Sequence, residues 1–156
     1  MNEKIQGKKN ARFVAAQALY CFEFGQKYLQ IEKKDFVAQE TIKEILKSKN
    51  NKNNKYTLEK DFLLFIINNA IEEQKYNKDI ISMKIKNNWS LERIDLLTLC
   101  IIQLAIVEMR FIPDTEIKII IDEYVKITKF FIGETSAISF VNGILDAISN
   151  IIKRDN

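Results

Sequence analysis

No histidine occurs anywhere in this sequence. The commonest general base is therefore missing, and with it the Ser-His and Cys-His pairings that activate a nucleophile. The only two cysteines, Cys21 and Cys100, stand far apart, each inside an apolar helical pattern. They read as buried free thiols, not as a disulfide or a zinc site. Four glycines, Gly7, Gly25, Gly133 and Gly143, are scattered singly, whereas a P-loop or a dinucleotide-binding turn needs them clustered. Long apolar runs are lacking as well. The greasiest, Leu96 to Val107, is broken by Thr98 and Gln103 and is too short to span a bilayer, and the opening MNEKIQGKKN has no apolar signal core. These absences point to a cytosolic protein, narrow the readings as an enzyme, and leave no catalytic constellation, phosphate cradle or zinc site in view.

What is present is ordinary in bulk and uneven in detail. With 156 residues, 47% hydrophobic and 29% charged, the chain has enough apolar material for one domain with a core. Lys4, Lys8, Lys9 and Arg12 stand against the single acid Glu3 in the first twelve residues, which leaves +3, the formal net charge of the whole chain. A second basic stretch, KSKNNKNNKY, carries Lys47, Lys49, Lys52 and Lys55 without an acid. The first third of the chain is thus a candidate anion-facing region, with nucleic acid or an acidic membrane as the obvious partner. For the Lys/Asn-rich loop at 48–56 the simpler reading is a solvated insertion.

Periodicity predicts helices throughout. Ala11 to Phe24 is rich in helix formers, with Gly25 as its stop. Residues 32–48 form a second amphipathic helix, and Thr57 caps a third that runs to Gln74. A fourth covers Asn77 to about Lys86. Ser90 caps a hub helix, Leu91 to Met109, apolar nearly all round and therefore enclosed by its neighbours. Glu116 to Phe131 follows after Pro113 and is ended by Gly133, and Ala137 to Lys153 is the last. Asn142-Gly143 is a hairpin cue, but its flanks repeat every 3.6 residues over three or more turns, so the helix is preferred. A glycine inside a helix then needs a reason, most simply the close approach of another backbone.

The stretches ARFVAAQALY, Trp89 with LERIDLL, LAIVEM, IIIDEYVKITKFFIGE and above all FVNGILD resemble, in this order and at these spacings, the transcription antitermination factor NusB family. The resemblance covers Ala11 to Ala147, with residues 27–56 contributing little. It implies an all-α fold, a single seven-helix domain over 11–154 built of two packed helical bundles, preceded by a flexible basic arm at 1–10. It also implies binding of single-stranded boxA-type leader RNA together with the small-subunit ribosomal protein NusE. That complex joins the RNA polymerase antitermination complex, chiefly on ribosomal RNA operons. A monomer or weak homodimer is expected. A NusB-like domain also occurs fused to RNA cytosine methyltransferases, but no Gly-rich cofactor loop is present here. The alternative is a helical adaptor that binds only protein.

The resemblance also assigns residues. Lys8, Lys9 and Arg12 occupy the place of the family's arginine-rich motif, where cations and the free amides of a first helical turn meet phosphate. Lys9 and Tyr20 lie about three turns apart on one helix face, so Tyr20 is a base-stacking candidate and Gln17 a base-edge reader. Phe140 and Asn142, in FVNGILD, match family positions beside the RNA. A core role for Tyr20 or Phe140 and a capping or bridging role for Asn142 are the alternatives. Glu108 and Glu123 are assigned structural roles, paired with neighbouring cations. The chain departs from the family's pattern in having only one arginine in the basic motif, in Thr98, Leu99 and Gln103 of the hub, and in an early Pro113.

Overall fold

A computed structural model of the chain describes residues 2–49, 56–85 and 89–152. Residues 50–55, most of the Lys/Asn-rich loop, lie outside these, as do Lys86 and Lys153, the expected ends of two helices. Among the described residues there are seven α-helices, two short 3-10 turns and no strand. The chain divides into two compact units, Met1–Ile71 and Glu72–Asn156.

The first unit is built on α1, Glu3–Tyr28, 26 residues long. The expected basic arm is therefore part of the helix. The reason is local. Asn2 caps it by accepting from the Lys4 amide at 2.7 Å, which satisfies a donor that the helix start leaves unpaired. Further along, Gly7 lies against the segment before α3. Its carbonyl accepts from the Glu59 amide at 3.3 Å, Asn10 donates to the Thr57 carbonyl at 2.7 Å, and Gln6 donates to Asn10 at 2.9 Å.

The far end of α1 also differs from expectation. Gly25 does not stop the helix, which continues to Tyr28. The Gly25 carbonyl accepts from both Leu29 and Ile31, at 3.0 and 3.1 Å, and the left-handed residue that turns the chain is Gln30, at φ 56°. The space at 25 is nonetheless tight: a Cβ there would stand 3.2 Å from Ile31 Cδ1.

A 3-10 turn at Lys33–Asp35 precedes α2, Ala38–Lys47, so the second helix starts later than its periodicity predicts. Phe36, just ahead of it, meets Phe22 of α1 edge-on at 4.9 Å, a favoured aromatic geometry. Helix α3 spans Lys60–Glu72 and buries Phe62, Leu63, Ile66, Ile67, Ala70 and Ile71. Thr57 is not its cap, because the helix begins three residues later.

The second unit is arranged around α5, Leu96–Phe111, in which every residue from Thr98 to Met109 is buried. Helices α4 (Gln74–Lys84), α6 (Ile117–Phe131) and α7 (Thr135–Ser149) all pack against it, as expected of a helix without a polar face. Its cap is Asp95, which accepts from the Thr98 amide at 3.1 Å. Ser90 instead precedes a 3-10 turn at Leu91–Arg93 and makes no cap bond. The hub carries polar side chains into the core, and each has an internal use. Tyr124 of α6 donates its hydroxyl to Glu108 at 2.8 Å, both buried, and the Gln103 amide donates to the Leu99 carbonyl at 3.3 Å. Glu108 thus has a tyrosine hydroxyl as a partner, while Glu123 lies 4.0 Å from Lys126. Gly133, at φ 77°, ends α6 as predicted.

Gly143 sits inside α7, so the helix reading of FVNGILD stands and the hairpin cue does not apply. Among the described residues the close backbone approach expected there is absent: a Cβ at Gly143 would meet none of them within 4 Å.

Two glycine substitutions should therefore act in opposite directions in urea unfolding. Gly143→Ala is expected to stabilise by about 0.5–1 kcal/mol through helix propensity. Gly7→Ala should destabilise, because its Cβ would come 2.9 Å from Glu59 Cγ and 3.1 Å from the Glu59 nitrogen. Tyr124→Phe removes a hydrogen bond to a buried carboxyl, and a loss of about 1–3 kcal/mol is expected in the same experiment.

Candidate nucleic-acid interface

Between Ala11 and Gly25, α1 is buried at every position except Phe13, Gln17, Tyr20, Cys21 and Phe24. At 100° per residue Phe13, Gln17, Tyr20 and Phe24 fall within one narrow arc. Lys9 precedes them on the same arc, half-buried, and Tyr28 follows, 57% exposed. The helix thus presents a single stripe, cationic at its start and aromatic along its length. The rings form a ladder: Tyr20 to Phe24 is 5.9 Å between centroids and Phe24 to Tyr28 is 4.8 Å. Lys27 lies over the Tyr28 ring at 5.4 Å.

The three predicted cations are not equivalent. Lys8 Nζ lies 5.4 Å and Arg12 Cζ 5.3 Å from the centroid of the same Phe62 ring, within cation–π range. Arg12 is only 4% exposed, so its guanidinium is held in the protein while Lys8 and Lys9 stay half-buried and reachable. Gln17 is on the stripe, and its side-chain oxygen is buried without a hydrogen bond. Tyr20 is half-buried, with its ring partnered by Phe24 at the exposed stripe and not sealed in the core. Cys21, expected to be buried, is exposed beside it, whereas Cys100 is buried as predicted. Helix faces explain the miss: Cys21 follows Tyr20 by one residue, at the margin of the stripe. Partial burial still raises the Cys21 thiol above its ordinary pKa.

In the second unit, Phe140 and Asn142 share α7 but not a face. Two residues along a helix is about 200°. Phe140 is half-buried and lines a groove beside the C-terminal end of α4. Asn142 is exposed and lines another, with Ile117, Lys118, Ile121 and Asp122 of α6. The Asn142 side chain makes no hydrogen bond among the described residues, so neither the capping nor the bridging alternative is realised there. Among the described residues, Gly143 alone reaches both grooves.

Phe24, Tyr28 and Trp89 were not among the predicted site residues. The first two carry a legible signal, the four-residue spacing from Tyr20. Trp89 does not, since its exposure and its position facing Phe140 are decided by the fold.

These features define an all-α protein whose accessible chemistry is cationic, aromatic and amide, without a cluster of metal ligands among the described residues. No described helix is long and apolar enough to cross a membrane. The architecture is similar to that of T. maritima NusB, whose solved structure matches with a TM-score of 0.69 at 28% identity, over 91% of this chain and 89% of that one. A crystal structure of antitermination factors NusB and NusE in complex with double-stranded RNA shares the fold, with a TM-score of 0.68 at 23% identity, over 92% of this chain and 96% of that one. The chain belongs to the NusB family, whose profile matches residues 9–150. Among curated relatives, the transcription antitermination protein NusB of Leptospira biflexa is 37% identical over 89 residues, 57% of this chain and 62% of the relative. The chain thus spans about three-fifths of that relative's length.

Alkylation of the native protein tests the exposed edge of the stripe. Cys21 is expected to react and Cys100 to stay protected until unfolding, with mass spectrometry assigning the site. Because the Cys21 thiol titrates above its ordinary range, its rate should still be climbing where an unperturbed cysteine, near pH about 8.5, has half-ionised.

Proposed function

We propose that this protein binds single-stranded boxA-type leader RNA and, together with the NusE ribosomal protein, acts in the RNA polymerase antitermination complex to promote transcription of ribosomal RNA operons. In this reading it works in the cytoplasm and catalyses no reaction. The observation that carries the proposal is the α1 stripe, where reachable cations lead directly into partly exposed aromatic rings. Single strands are held in this way, by phosphate charge and by stacking of splayed bases. An A-form duplex keeps its bases stacked inside and offers no face to Tyr20. Membership of the NusB family supports the same reading.

Within this reading Tyr20 stacks a base, and Lys8 and Lys9 meet phosphates. Arg12, buried on Phe62, contributes field and shape to the first turns of α1 more than a direct contact. Gln17 offers an amide without a partner for its oxygen. Phe140 and Asn142, on opposite flanks of α7, meet different parts of the strand or different partners.

Fluorescence anisotropy with a labelled boxA-type RNA, with and without NusE, tests the proposal. Tyr20→Ala should weaken binding by about 1–3 kcal/mol, the worth of one stacked base. Replacing Lys8 and Lys9 with glutamine should flatten the dependence of log affinity on log salt by about 0.7 for each phosphate that is no longer neutralised. NusE should tighten wild-type binding. A folded protein that binds NusE but no RNA under either condition would instead be a protein-only adaptor.

A further inference from the structure

Phe140 is not alone on its flank of α7. The indole of Trp89 lies nearly parallel to its ring, at 22° and 6.3 Å between centroids, and Trp89 is 51% exposed. A groove of about 510 Å³ opens beside the pair, lined also by Lys84 at the end of α4 and by Ser136, Ser139 and Gly143 of α7. Its volume lies within the roughly 300–1,000 Å³ of small-ligand sites.

Each component of the groove fits the same occupant. An indole left half in water is a strong stacking surface for a planar ring, since every base has a π-face. Lys84 is exposed at the rim, where a phosphate attached to that ring can reach it. Ser136 and Ser139, three residues apart on one helix face and both exposed, present hydroxyls that donate and accept. Gly143 weakens α7 without any neighbour among the described residues that requires it, since none of them lies within 4 Å of its missing Cβ. A ligand that comes close to the helix surface supplies the missing reason. An apolar protein segment would use the rings but leave Lys84 and both serines unmatched, and a duplex would present no base face.

We propose that this groove takes one splayed base of a single-stranded RNA, stacked on Trp89, with Lys84 on the adjoining phosphate. The inference rests on the RNA-binding reading above and extends it to Trp89, a base-contacting residue on an element other than α1. Phe140, which meets the same part of the strand, also backs the indole and holds it in plane, consistent with its half-buried state.

Trp89 is the chain's only tryptophan, so its own emission reports the contact without any substitution. The wild-type protein is titrated with a short single-stranded boxA-type RNA, with tryptophan emission and the anisotropy of the labelled strand followed together. The expected result is quenching that tracks the anisotropy curve to saturation. Trp89→Ala should bind roughly 5- to 150-fold more weakly, the range that one stacked base is worth, and Trp89→Phe, which retains a π-face, should recover most of the loss. Circular dichroism of both variants should stay helical. RNA that binds without changing the emission, with full affinity retained by Trp89→Ala, overturns the inference and leaves RNA binding by α1 standing. A wild-type protein that binds no RNA at all overturns both.

Discussion

What α1 presents to solvent depends on how completely that helix is enclosed. Ala11, Ala15, Ala16 and Ala18 are fully buried together with Val14 and Leu19, and small side chains let neighbouring backbones come close. Gly7 and Gly25 extend the same logic, each facing a neighbour that a methyl group would crowd. What remains after so much burial is a stripe about one residue wide. A helix enclosed on most of its circumference cannot rotate or slide, so the residues left on the stripe are held in place by packing that lies elsewhere on the same helix. Site precision comes here from burial of the opposite face.

The second unit meets the same need through α5. A helix apolar all round has no outside, and its neighbours α4, α6 and α7 must supply one. The hub nevertheless carries Thr98, Gln103 and Glu108 into the core, where polar groups without partners are costly. Asp95 ties Thr98 at the start of the helix, Gln103 donates to the backbone one turn earlier, and Tyr124 reaches Glu108 from α6. These bonds link the hub to its own first turn and to a neighbour, and they fix the register of α6 against α5 more tightly than apolar contact alone. Helix α7, packed on both α5 and α6, then presents Phe140 to one side and Asn142 to the other.

The two units therefore hold surfaces of similar chemistry by different routes. On α1 the aromatics stand in line along one helix, at four-residue steps. On α7 a single ring is paired with a residue that arrives from the connection before α5, and the pair borders a groove floored by a glycine. Cations accompany both. Lys8 and Lys9 precede the first set of rings, and Lys84 flanks the second. Neither surface requires a reaction, and the absence of histidine from the chain is compatible with recognition through charge, stacking and amides.

Helix content, the enclosed hub, the turn at Gly133 and the α1 face shared by Lys9, Gln17 and Tyr20 were all legible from spacing, because 3.6-residue periodicity is a local property that survives in any packed arrangement. The motifs around FVNGILD carried the family for the same reason: they are contiguous. Ends of helices were read less well. Gly25 and Ser90 are good local signals that gave way to competing local ones a few residues on, the left-handed turn at Gln30 in one case and the Asp95 cap in the other. Exposure was not legible at all where it depends on a neighbour far along the chain. Arg12 went under Phe62, Cys21 came to the margin of the stripe, and Trp89 met Phe140 across some fifty residues of sequence. Periodicity states which residues share a face of a helix. Only the packing of that helix against the rest of the chain decides which face is covered, which rings meet, and which charges are left for a partner to find.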